Sequence, residues 1–160
     1  MRLLVECNAD EALAQAVGVP RRWIEHSPGR GRVCKRLELL AGVTAMVDDD
    51  PGVSKPVYFN CLIESKWDQG IRLFVDKGRN NRVVILTPRL EDWLVQSAKA
   101  SGIKMTECGF GSDNGVQLHA EINQRLTNLD KLVSLLLERK NQRLLYLQSL
   151  LAKSAQDAHN

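Results

Sequence analysis

Val43-Thr44-Ala45-Met46-Val47-Asp48-Asp49-Asp50-Pro51-Gly52 is the stretch on which the fold turns. Val43 to Val47 is an apolar run of strand length that ends in three carboxylates, and Pro51-Gly52 then stops regular structure. A run without polar alternation suits a strand covered on both faces, as in a parallel sheet flanked by helices. Ligands of such sheets bind beyond the carboxyl ends of the strands. Along an extended chain Asp48 and Asp50 point to one side and Asp49 to the other. Two like charges held that close repel unless a cation lies between them, and ligation by oxygen alone favours Mg²⁺ or Mn²⁺. Taken alone, these residues also fit a solvated acidic turn, since Asp and Gly populate turns everywhere.

Working outward, Leu3-Leu4-Val5-Glu6 reads as another short buried strand closed by a carboxylate. Asn8 or Asp10 offers a cap for an alanine-rich helix to Val17, which Gly18 and Pro20 end. Trp23 to His26 reads as a second strand. Ser27-Pro28-Gly29-Arg30-Gly31 is a loop, and Arg32 to Leu40 a helix with Val33, Leu37 and Leu40 on one stripe. This alternation of strand and helix predicts right-handed crossovers and a mainly parallel sheet flanked by helices. Downstream, Tyr58, Phe59, Leu62 and Ile63 stand at helical spacing, so a short helix is expected within Pro56 to Gln69. Ile71 to Val75 and Arg82 to Leu86 are strand-like, and Asp76 to Asn81 between them has hairpin chemistry. Arg89 to Ala100 reads as a helix with Leu90, Trp93, Leu94 and Ala98 inward.

The expected organisation is an α/β domain over 1–108, a glycine-rich linker over 109–116 and a helical extension over 117–160. A break near Thr127-Asn128 predicts two helices in the extension, and Ser154 to Asn160 are expected to fray. Its leucines, from Leu129 to Leu151, form a broad stripe rather than a strict coiled-coil seam. Such a stripe packs either onto the domain or against a second copy as a homodimer.

Composition narrows the classes. The 160 residues suffice for one sizeable core, and 44% hydrophobic with 26% charged residues is ordinary for a globular chain. A net charge of +3 permits nucleic-acid contact without arguing for it. Cys7, Cys34, Cys61 and Cys108 lie far apart with no CxxC pair, against a structural zinc site. Met1 to Val5 meets Glu6 too soon for a signal peptide, and no apolar run reaches the length of a membrane span. The expectation is a cytoplasmic protein with reduced thiols and no membrane partner.

The acidic residues then form a set. Glu6 closes the first strand, Asp48 and Asp50 close the third, and Glu91 opens the helix after the fifth. Neighbouring parallel strands bring Glu6, Asp48 and Asp50 to one sheet edge, where Asp10 can face the same cleft. A glutamate and two aspartates there can hold a divalent ion and leave positions open for substrate. Asp10 and Glu91 are the candidates for further ligands. Such clusters serve phosphoryl transfer.

Leu4-Val5-Glu6, Asp10, the Ser27 to Gly31 turn and Val47-Asp48-Asp49-Asp50-Pro51-Gly52 resemble a TOPRIM domain, with Leu90-Glu91-Asp92-Trp93-Leu94 similar to small stand-alone and OLD-nuclease-like members. The resemblance spans roughly residues 2 to 100. It implies a Rossmann-like fold and a Mg²⁺-dependent site that makes or breaks phosphodiester bonds. In it Glu6 matches the general acid/base, and Asp48 and Asp50 the metal ligands. The family usually has glycine where this chain has Cys7. No tyrosine is placed as a topoisomerase nucleophile, and the chain is too short for a complete topoisomerase.

Basic residues crowd the second strand and its helix. Arg30, Arg32, Lys35 and Arg36 form a candidate backbone-binding surface for DNA or RNA, with a solvated helix face as the competing account. Lys77 in the hairpin turn is a further candidate. His26 ends the second strand at the cleft, whereas His119 and His159 read as lying outside the site. Cys7 has no identifiable histidine base, so thiol nucleophilic chemistry is disfavoured. Trp23, Trp67 and Trp93 read as core or interface residues. Three functions follow: a metal-dependent nuclease; a non-catalytic TOPRIM-like module that binds nucleic acid or a larger protein partner; and a flavodoxin-like regulatory domain, against which the basic loop argues.

Overall fold

A computed structural model describes residues 2–50 and 52–156, with side chains to residue 152. Among these residues the chain is an α/β structure with one mixed sheet of six strands and six α-helices. The strands are β1 (Leu3–Val5), β2 (Ile24–His26), β3 (Thr44–Asp48), β4 (Ile63–Asp68), β5 (Ile71–Asp76) and β6 (Asn81–Leu86). The helices are α1 (Asn8–Ala16), α2 (Arg30–Leu39), α3 (Leu90–Ala100), α4 (Gly115–Ile122), α5 (Leu126–Glu138) and α6 (Gln142–Gln156). Strand order is β2-β1-β3-β6-β5-β4; β2, β1, β3 and β6 run parallel, β5 pairs antiparallel to β6, and β4 pairs antiparallel to β5.

Period-two alternation divides the core. Leu3, Val5, Met46, Val84 and Leu86 face one side, where α1, α3 and the C-terminal helices cover them. Leu4, Ala45, Val47, Val83 and Ile85 face the other, against Val33, Cys34 and Leu37 of α2. Both faces of the central parallel strands β1 and β3 are thus buried, the arrangement that their unbroken apolar runs demand. The connection after β1 leads to β2 on one side, while β3 leads away to the other half of the sheet. The crevice at the carboxyl ends of β1 and β3 is therefore a topological switch point.

The middle of the chain departs from expectation. In place of a helix within Pro56 to Gln69, a 3₁₀ turn (Val57–Cys61) is followed by the edge strand β4. Tyr58 alone of that turn is fully buried, and its hydroxyl donates to Asp76 Oδ2 at 2.9 Å. β4 is exposed along almost its whole length, so its sequence lacks the alternation that marks a half-buried strand. The Asp76 to Asn81 hairpin forms as expected.

The C-terminal part also differs. It holds three helices rather than two, and α6 runs on to Gln156 where fraying was expected. Residues 157–160, with His159, and Pro51 lie outside the described residues. Leu129, Leu132, Val133, Leu136, Leu144, Leu147 and Leu151 share one core with Ala9 and Leu13 of α1 and Trp93 and Leu94 of α3. The leucine stripe is therefore spent on the chain's own domain, the first of its two alternatives. Within 109–116, Phe110 is buried in that core and Asp113 Oδ1 accepts from Met105 N at 2.8 Å. No helix among the described residues is long and apolar enough to cross a membrane.

α4 is seated on α3 through Gly115, where an added Cβ would lie 2.7 Å from Asp92 Cγ and 3.2 Å from its Cα. Gly115→Ala should lower stability by about 1–3 kcal/mol through overpacking, read as a Tm fall of about 2–10 °C. An unchanged Tm would mean that α4 does not sit closely on α3.

Candidate metal and phosphodiester site

Three helix starts meet at the switch point. Glu6 directly follows β1, and Cys7 caps α1 in extended backbone (φ −141°), a conformation any residue adopts. Glycine is therefore not required at position 7 by the local geometry. Asp10, in the first turn of α1, folds back so that its Oδ2 accepts from Glu6 N at 3.2 Å and Cys7 N at 3.0 Å. This is a capping box in which cysteine replaces the usual serine or threonine.

β3 delivers Asp48, whose Oδ1 accepts from Leu90 N at 2.9 Å and so caps α3. Asp49 turns to the opposite face, 3.7 Å from Arg72, while Asp50 returns to the cavity. The alternation expected from the sequence is thus present. α2 begins at Arg30 after its N-cap Gly29, and Arg30, only 8% exposed, donates through Nη2 to the Asp48 carbonyl oxygen.

These groups line a cavity of about 360 Å³ that contains Glu6, Asp10, Asp48, Asp50 and Glu91, with Arg30 and Arg89 as its cations. Five carboxylates face two guanidiniums, and Arg89 is itself paired with Asp92 at 2.9 Å. Crowding shows in the proton affinities. Burial, then the Asp10 charge, pushes Glu6 up to about 7, against the pull of Arg30. Burial also raises Asp10, and burial together with the neighbouring Asp10, Glu91 and Glu6 charges raises Asp48. Burial and Asp10 push the Cys7 thiol above its ordinary range, so it is no thiolate nucleophile.

Glu6 Oε1, Asp10 Oδ1 and Glu91 Oε2 are buried with no hydrogen-bond partner among the described residues. Buried polar atoms are ordinarily satisfied, so three such oxygens on one cavity mark a place for a cation or proton donor. Among the described residues no three His, Cys, Asp or Glu side chains are already gathered tightly enough to hold a metal ion. The donor set is all oxygen and suits Mg²⁺ or Mn²⁺.

His119 is a site residue that the sequence reading put outside the site. α4 carries it over the cavity, and its Nδ1 stands 2.7 Å from Oε1 of Glu91, which is 3% exposed. No local pattern announces this contact, since 28 residues separate the two. His26 instead places Nε2 2.9 Å from the Glu6 carbonyl oxygen, outside the cavity.

The basic residues divide. Arg30 joins the carboxylates. Arg32 and Lys35 are exposed beside His26 along a separate shallow cavity of about 360 Å³. Arg36 is bound to Glu25 at 2.5 and 2.9 Å, so its charge is largely answered. Lys77 stands on the Asp76–Asn81 turn at the amino end of β6, the sheet edge opposite the carboxylates. It is separated from them by the length of the strand, about 17 Å, and does not join the site. No protein-family model, curated protein or solved structure matches the chain.

Proposed function

We propose that the chain is a TOPRIM-like, divalent-metal-dependent nuclease that hydrolyses phosphodiester bonds of DNA or RNA at the Glu6–Asp48–Asp50 cavity. The observation that carries this reading is the convergence of five carboxylates, three with buried unpartnered oxygens, on a switch-point crevice that also contains Arg30. Asp48 and Asp50 would hold Mg²⁺ or Mn²⁺, with Asp10 and Glu91 assisting. When bound, the ion supplies charge neutralisation at the phosphodiester and a more acidic water.

The chain's own groups supply the rest. Glu6, with a proton affinity near neutrality, is suited to accept the proton of the attacking water or return one to the leaving oxygen. Hydrolysis adds the water oxygen to phosphorus and breaks the bond to one ester oxygen, which leaves with a proton. Arg30 is fixed by the Asp48 carbonyl and would orient the phosphate; a guanidinium matches its oxygens in bidentate fashion. Arg32 and Lys35, exposed on α2 at the separate shallow cavity, would offer further contacts to the nucleic-acid backbone.

The test is incubation of the protein with labelled DNA and RNA in Mg²⁺, Mn²⁺ or EDTA. Cleavage in the presence of a divalent ion and its loss in EDTA are expected. Binding without cleavage in every condition would assign the chain to the non-catalytic module instead. His119→Ala should weaken Mn²⁺ affinity or activity about 10- to 100-fold by releasing Glu91 from its partner. Its Tm should change little, because the His119 side chain is 69% exposed. Unaltered Mn²⁺ binding and cleavage would remove His119 from the site.

A further inference from the structure

A second cavity, of about 560 Å³, lies at the turn between α5 and α6, and no carboxylate of the described residues lines it. Gln69 of the β4–β5 turn and Ser101 after α3 form one wall, and Arg139, Lys140, Asn141 and Arg143 form the other. Exposed cations ordinarily pair with an acid or stand in bulk water. Arg143 is partly exposed, yet among the described residues no acid stands beside it in the cavity. Its Nη1 is shut off from solvent with no hydrogen-bond partner, packed so close beneath the turn that a Cβ on Gly70 would lie 2.7 Å away. Burial, with no acid to offset it, lowers the proton affinity of this guanidinium. A guanidinium with one nitrogen desolvated and unpartnered gains when a countercharge arrives to accept from it.

The surrounding geometry holds the cations in place. Arg139 Nη1 donates to the Ser101 carbonyl oxygen at 2.6 Å. Buried Asn141 donates through Nδ2 to the Ser97 carbonyl oxygen at 2.9 Å and to Ser101 Oγ at 2.8 Å. Lys140 occupies left-handed backbone at φ 53°, immediately after α5, a position that glycine fills at least cost. Two arginines and a lysine around one space favour an oxyanion of more than one negative charge, and arginine matches phosphate oxygens in particular. The volume is that of a small-molecule pocket rather than of a bare-ion cleft.

We propose that this cavity is a phosphate-binding site, separate from the carboxylate cavity, which takes the phosphate group of a nucleotide or of a nucleic-acid backbone. The proposal does not depend on the nuclease reading. Its test is an NMR titration of the ¹⁵N-labelled protein in EDTA with inorganic phosphate, pyrophosphate, a nucleoside triphosphate and a short single-stranded oligonucleotide. Sodium chloride at matched ionic strength is the control. Saturable shifts centred on residues 100–101 and 139–144 are expected. Tighter binding of the triphosphate identifies the nucleotide as the source, and tighter binding of the oligonucleotide, with displacement of the triphosphate, identifies the backbone.

Arg143→Met, which keeps the side chain's length without its charge, and Lys140→Gly, which relieves the backbone, should both fold. Each should bind phosphate at least about tenfold more weakly. Shifts spread over every basic surface and reproduced by chloride would overturn the proposal. So would unchanged affinity in both variants, or no saturable response to any of the four probes.

Discussion

Asp48→Asn is expected to abolish divalent-dependent cleavage, by about 100-fold or more, while raising the Tm of the metal-free protein. The two effects have opposite signs for one reason. The asparagine side-chain oxygen can still accept from Leu90 N, so the cap on α3 survives. What disappears is a largely buried carboxyl whose ionisation is opposed by burial and by the Asp10, Glu91 and Glu6 charges, so the rise in Tm is read at about pH 8 and above, where that group ionises. Relief of even 1–2 kcal/mol would raise Tm by about 2–8 °C. Asp48→Ala is the poorer probe, because it also removes the cap at a cost of about 0.5–2 kcal/mol. Asp50→Asn should likewise lose activity, but with little change in stability, since Asp50 is exposed. Asp49→Asn, whose side chain turns away toward Arg72, should cleave like the parent. Retained cleavage in Asp48→Asn would overturn the ligand assignment, and a fall in its Tm would overturn the crowding argument.

The stability of the metal-free protein should fall as pH rises from about 5 to 8, by about 5–10 °C in Tm. Glu6 is pushed up to about 7, and Asp10 and Asp48 are raised as well, chiefly by burial. An acid that holds its proton more tightly folded than unfolded contributes its full stability below the unfolded carboxylate range near 4. That contribution is lost as pH climbs through the folded value. Mg²⁺ or Mn²⁺ binds the ionised carboxylates, so saturating divalent ion should stabilise the protein more at pH 8 than at pH 5.5. Scanning calorimetry in EDTA and in excess Mg²⁺ gives both curves. A flat metal-free profile would show that the cavity carboxylates titrate as ordinary surface acids. In Asp48→Asn the profile should be shallower, because one of the coupled acids is gone.

Much of the fold was legible because its signals are local. The apolar runs Leu3–Val5, Thr44–Val47 and Arg82–Leu86 and the turn chemistry of Asp76–Asn81 specify strands wherever they fall. The helices α1, α2 and α3 followed from their caps and stripes. β4 was missed because an exposed edge strand has no alternation to read. The third C-terminal helix was missed because Asn123 to Arg125 and Arg139 to Asn141 break the leucine-rich region at two points, and composition marks neither strongly.

The site divides in the same way. By itself the sequence determined that Glu6, Asp48 and Asp50 end parallel strands, and that Asp49 points away from its neighbours, because strand period and strand direction are properties of adjacent residues. Only the tertiary structure decided that His119 meets Glu91, that Lys77 lies at the opposite end of the strands from the carboxylates, and that Nη1 of Arg143 is shut off from solvent without a partner among the described residues. Those facts depend on how α4, α5 and α6 pack onto α1 and α3. Apolar burial drives that packing and is indifferent to direction, so it leaves no mark at the positions of the polar residues that it brings together.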